Sequence, residues 1–237
     1  MIEFPRFISE KFLDRPNYFS EDEFLKAMEV MGYNLSLEIH PALNIAKRAH
    51  NGSYMYRSQK PFLEEHIFSV VLNYSYHYWK ACEVFPRVRD NQVMILHDSR
   101  EDYHDRNSMS GGDLFVRNPS IGFYNEREEV DEDILANCGQ EVFDEVDVFT
   151  DKSKTPYDDL LDNLCRLSDI PKFKDSELLN KKLVDRLVSM RSGVNYNNLR
   201  ELIIRAKVFA QYLEHPQVFP SLRESFIVEL ENLQSLT

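Results

Sequence analysis

Apolar residues return every three or four positions along most of this chain and almost nowhere alternate strictly, which restricts it to folds made by packing helices. From His66 onward, Ile67, Val70, Val71, Tyr74, Tyr78 and Ala81 fall on one helical face. Leu199, Leu202, Ile203, Ala206, Ala210 and Leu213 repeat the pattern after Asn198, with Pro216 beyond them as a stop. Ser20-Glu-Asp-Glu23 has the form of a capping box ahead of Phe24, Leu25 and Met28. Further helices are expected at about 35–50, 90–102, 131–150, 157–168, 176–192 and 221–234. The run Asp131 to Asp133 reads as an acidic first turn suited to the helix dipole.

With 237 residues, 43% of them hydrophobic, the chain can bury one sizeable core, and no composition shift marks a boundary. A single domain over 1–237, with its core at about 35–215, is therefore expected. The helical period lapses at about 103–127, where Gly111-Gly112, Asn118-Pro119 and Gly122 punctuate the sequence. This segment reads as an inserted loop with room for a short β-hairpin around Phe115, Val116, Phe123 and Tyr124. A total of 28 Lys and Arg against 40 Asp and Glu gives a formal charge of −12, which disfavours general binding to nucleic acid or an anionic membrane. Cys82, Cys138 and Cys165 form neither a disulfide framework nor a zinc pattern. Met1 to Phe12, which carries acidic residues and no apolar h-region, and the lack of any long uncharged apolar run complete the expectation of a soluble cytoplasmic protein with no membrane partner.

The chemistry concentrates in Val93-Met-Ile-Leu-His97-Asp98-Ser-Arg-Glu101-Asp102, an apolar helical run that ends in ionisable groups. Carboxylates crowded beside a core are costly, and a divalent cation would offset that cost. Adjacent His97 and Asp98 cannot complete a coordination sphere alone. His66, opening one apolar helix, and Asp185, in another helical stretch, are the natural further ligands. Such a mixed nitrogen and oxygen sphere suits Mn²⁺, Fe²⁺ or Zn²⁺ better than Ca²⁺. His50 reads as a core histidine that braces the site through a hydrogen bond rather than as a ligand.

Ala49-His50-Asn-Gly52, then Arg57-Ser58, Pro61-Phe62-Leu63 and His66, then Leu96-His97-Asp98 with Glu101-Asp102, then Lys182-Leu-Val-Asp185-Arg-Leu and Met190-Arg191, resembles in order the hydrolase domain of the RelA/SpoT alarmone family, part of the HD superfamily. Cys138-Gly139-Gln-Glu-Val142 and Val148-Phe-Thr150-Asp151 also look like that family's segment before its last metal-binding aspartate. The resemblance runs from about 42 to 213 and, with no synthetase region following, implies a stand-alone small alarmone hydrolase. It implies a helical HD-domain bundle, a single Mn²⁺, and hydrolysis of the 3′-pyrophosphate of ppGpp or pppGpp to pyrophosphate and GDP or GTP. On the matching positions the metal ligands are His66, His97, Asp98 and Asp185, and Glu101 and Asp102 position and activate the attacking water. Arg57, Ser58, Lys60, Lys182 and Ser189 are the expected contacts to the nucleotide substrate. Pro61 to His66 is one residue longer than the family's usual spacing, and Ser189 stands where the family usually has Asn. An adenosine alarmone as substrate, or a nucleotide-binding regulator without catalysis, are the alternative readings. Oligomeric state is not legible.

Overall fold

The computed structural model describes residues 4–12, 18–50, 52–55, 60–100, 114–116, 124, 126–149, 176–192 and 199–236. The protein is mainly α-helical and divides into two compact units, Met1–Thr150 and Asp151–Thr237. No described helix is long and apolar enough to cross a membrane.

In the first unit, α1 (Arg6–Lys11) is a short helix beside an aromatic cluster in which Phe4 meets Tyr76 edge-on, with ring centroids 5.3 Å apart. In α2 (Glu21–Val30) the capping box forms as expected: the Glu23 amide donates to Ser20 Oγ and the Ser20 amide to the Glu23 carboxylate. The α2 helix docks through Phe24, whose ring stacks on Phe68 with centroids 4.3 Å apart. The helix expected over 35–50 is a π-helical turn, Leu35–Ile39, running into α3 (His40–Ala49). A second π-turn, Leu63–Ile67, runs into α4 (Phe68–Cys82), of which Val70, Val71 and Tyr74 are fully buried while Ala81, at the helix end, is exposed. The α5 helix (Val88–Leu96) ends earlier than the expected 102, and turns occupy 97–100.

The span expected as one helix over 131–150 is two, α6 (Arg127–Cys138) and α7 (Gln140–Phe149). They break at Gly139, whose φ of 88° and ψ of 172° lie in a region that side-chain-bearing residues avoid. Because α6 starts at Arg127, its first turn carries Glu128 and Glu129, and Asp131 and Asp133 sit further in and bind arginines instead. Leu114–Val116 forms β2, the strand expected near Phe115 and Val116, and its observed partner is β1 (Ser53–Met55), antiparallel with Tyr54 opposite Phe115. Phe123, in the expected hairpin, lies outside the described residues. So does the helix expected over 157–168. Helix α3 packs against α5 and α6, and α5 also packs against α4 and α7.

The second unit holds α8 (Ser176–Ser192), α9 (Leu199–Ala210) and α10 (Pro220–Gln234), with α8 and α9 both against α10. Of the face expected from spacing, Leu199, Ile203, Ala206 and Leu213 are buried, whereas Leu202 and Ala210 are half-buried and Phe209 is buried in addition. Asn180 ties α8 to the turn before α10, donating to the Gln217 carbonyl at 2.9 Å and accepting from the Phe219 amide at 3.0 Å.

Candidate metal centre

The π-turn that leads into α4 and the turn that follows α5 bring His66, His97 and Asp98 together in the first unit. His66 Nε2 lies 3.2 Å and His97 Nε2 3.1 Å from the same oxygen, Asp98 Oδ2, and the two imidazole nitrogens are 3.4 Å apart. Three ligands about 2.1 Å from one divalent ion and separated by these distances subtend angles of about 95–110°, between octahedral and tetrahedral. The donor set and its spacing therefore fit a first-row divalent cation.

The local backbone explains how His66 reaches this point. Pro61 starts the turn, its carbonyl accepting from the Glu64 and Glu65 amides, and the Phe68 amide then donates five residues back to Leu63, closing a π-turn. A π-turn absorbs one extra residue without disturbing the helix that follows. The Phe62 ring stacks on His66 with centroids 5.0 Å apart, and buried His50 lies against the same Phe62 ring with centroids 4.8 Å apart, so an aromatic contact connects His50 to His66.

His97 follows the last turn of α5, where helix carbonyls lack amide partners. Its Nδ1 lies 2.8 Å from the Met94 carbonyl, which can only accept, so Nδ1 carries the proton. In the neutral ring the Nε2 lone pair is then left facing His66 and Asp98, the tautomer a metal ligand requires. Phe149 of α7 closes the other side edge-on, 6.3 Å from His97. Burial alone would raise the Asp98 carboxyl. In the metal-free site, where His97 also carries a proton on Nε2, the positive charge of His97 and hydrogen bonds from both imidazoles outweigh it and hold the group well below the usual carboxylate range; a bound cation would take the place of those protons.

Of the other expected residues, Glu101, Asp102, Arg57 and Ser58 lie outside the described residues. Lys60 places Nζ 3.7 Å from the centroid of the Tyr18 ring. The Tyr18 hydroxyl donates to Glu64, which together with burial raises its pKa to about 12. Asp185 belongs to the second unit, where it is buried and pairs with Lys182 at 3.0 Å, one helical turn earlier on α8. Ser189 spends its hydroxyl proton on the Asp185 carbonyl at 3.0 Å, a bond within its own helix.

Three contributors were not singled out from the sequence: the Met94 carbonyl that fixes the His97 tautomer, the Phe62 ring against His66, and buried Arg100. The first was readable, because a histidine just past a helix end faces the carbonyl three residues back. Compared with known proteins, the chain matches no family model and no curated protein sequence.

Proposed function

We propose that the protein is a divalent-metal-dependent phosphohydrolase, with Mn²⁺ as its cation, that removes the 3′-pyrophosphate of the guanosine alarmones ppGpp and pppGpp. The observation that carries the metal-dependent part is the convergence of His66 Nε2, His97 Nε2 and Asp98 Oδ2, with His97 held in the ligand tautomer. The substrate is supported by the ordered resemblance of this chain to the RelA/SpoT hydrolase domain. When bound, the cation supplies Lewis acidity, making water more acidic and neutralising phosphoryl charge.

The protein's own residues do the rest. Two neutral imidazoles and one carboxylate contribute a single negative charge, so a divalent ion held by them keeps positive charge for a phosphorylated ligand. Glu101 and Asp102, shortly after the ligand pair in sequence, take the proton of the attacking water as the 3′-O–P bond breaks, and the released 3′-oxygen takes up a proton to leave GDP or GTP with pyrophosphate. Arg57, Ser58 and Lys60 supply the local donors that a polyanionic nucleotide needs in a chain of net charge −12. Asp185 is the fourth ligand and Lys182 and Ser189 further substrate contacts only as far as the resemblance reaches.

Purified protein with Mn²⁺ should be offered ppGpp, pppGpp, ppApp and NADPH while pyrophosphate and phosphate are measured. Pyrophosphate released from the two guanosine compounds is expected. Turnover of ppApp alone would move the reading to adenosine alarmones, and inactivity on all four would overturn the alarmone reading.

A further inference from the structure

Arg100 follows the ligand pair by two residues and is itself almost fully buried, at 4% exposure. Its guanidinium grips Asp131 of α6 with two parallel bonds, Nε to Oδ1 at 2.6 Å and Nη2 to Oδ2 at 2.8 Å. The remaining arm, Nη1, donates to Asp147 of α7 at 2.5 Å, and the group lies 4.9 Å from the centroid of the Phe143 ring. Arg127 Nη2, 3.9 Å from Asp147, brings a second positive charge, so two carboxylates face two guanidinium groups. A planar, permanently charged fork with both ends engaged fixes orientation as well as distance, which a point charge cannot do.

No regular helix holds the turn that carries His97 and Asp98, because α5 stops at Leu96. Upstream the turn is held by the His97 bond to Met94 and by the Ser99 amide donating to Leu96 at 2.9 Å. Downstream the described anchor is Arg100. We propose that Arg100 is a positioning residue for the metal centre, clamping the His97–Asp98 turn onto α6 and α7 so that Asp98 Oδ2 stays within reach of both imidazoles. This inference rests on the metal-dependent reading above, not on its substrate.

The structure supplies its own control. Arg89, at the other end of α5, also bridges to α7, through Glu141 at 2.8 Å and Glu145 at 3.0 Å, but far along the helix from the ligands. Chelator-stripped wild type, Arg100→Met, Arg100→Lys, Asp131→Asn, Asp147→Asn and Arg89→Met should be titrated with Mn²⁺, following free ion by electron paramagnetic resonance, and unfolded in urea without metal. Loss of an outer support to ligands typically costs 10- to 100-fold in metal affinity. Arg100→Met is expected to lose at least tenfold, Arg100→Lys less, and Arg89→Met nothing, even where its urea midpoint falls as far. If Arg100→Met does not fold, the two single Asn variants carry the test, since each leaves the arginine one carboxylate. Wild-type affinity in the folded Arg100 variants, or in both Asn variants, overturns the inference, and so does an equal loss in Arg89→Met. Wild type that takes up no Mn²⁺ overturns the metal reading itself, and this inference with it.

Discussion

At the scale of single residues the proposed function assigns His66, His97 and Asp98 to an ion and Glu101 and Asp102 to protons, a division that substitutions can separate. Asp98→Ala removes the one oxygen on which both imidazoles converge and should abolish Mn²⁺ binding. Glu101→Ala should bind Mn²⁺ like wild type yet lose turnover by about 10²- to 10⁴-fold, the usual range for general acid–base groups. Equal metal loss in both, measured by Mn²⁺ titration, would show the roles to be misassigned. The depressed Asp98 carboxyl makes a separate prediction for the metal-free protein. A carboxyl whose value is lower folded than unfolded contributes stability above the unfolded value of about 4, and the contribution fades as pH falls toward the folded value. Urea midpoints of wild type and Asp98→Asn in chelator should therefore be separated at neutral pH and converge only in acid below about pH 4. A separation that grows on acidification would contradict the arrangement. His97 and Asp98 were legible because they are adjacent, and His66 through its place in an ordered set of motifs. Arg100 stood in the same cluster, but its partners are 31 and 47 residues away, and no local pattern encodes them.

At the scale of elements, the existence of helices followed from apolar spacing, whereas their interruptions did not. Gly139 is the clearest case. A glycine inside a periodic run reads equally well as a tolerated helix residue, and only its positive φ shows that α6 ends there. An added Cβ at Gly139 would meet nothing within 4 Å, so Gly139→Ala should cost only backbone strain, about 1–3 kcal/mol, read from the urea midpoint. A neutral substitution would mean that the break relaxes without consequence. The Leu63–Ile67 π-turn was equally hidden, since three- and four-residue spacing cannot distinguish a π-turn from an α-turn. The β1–β2 pair joins segments about sixty residues apart, so no turn motif announces it.

At the scale of the whole molecule, the three converging ligands all belong to Met1–Thr150, whereas Asp185, which the resemblance names as the fourth, belongs to Asp151–Thr237 and is engaged with Lys182. Ligand binding stabilises whatever must stay folded to make the site, by about 2.7 kcal/mol at a hundredfold excess over Kd. Amide hydrogen exchange with and without saturating Mn²⁺ therefore reports which parts of the chain contribute. Slowed exchange is expected in the Leu63–Ile67 π-turn and the start of α4, and at the end of α5 and in the turn after it, because His66 lies in the π-turn and His97 and Asp98 follow α5. A fourth ligand from Asp185 adds a second expectation, slowed exchange in α8 that disappears in Asp185→Asn together with part of the Mn²⁺ affinity. Lys182→Met sharpens the result: freeing the Asp185 carboxylate from its ion pair should leave Mn²⁺ affinity equal or higher if Asp185 is a ligand. Protection confined to the first unit, with wild-type affinity in Asp185→Asn, would assign that aspartate to its ion pair with Lys182 and leave a three-residue centre, a ligand count that still leaves room for water and a phosphoryl oxygen.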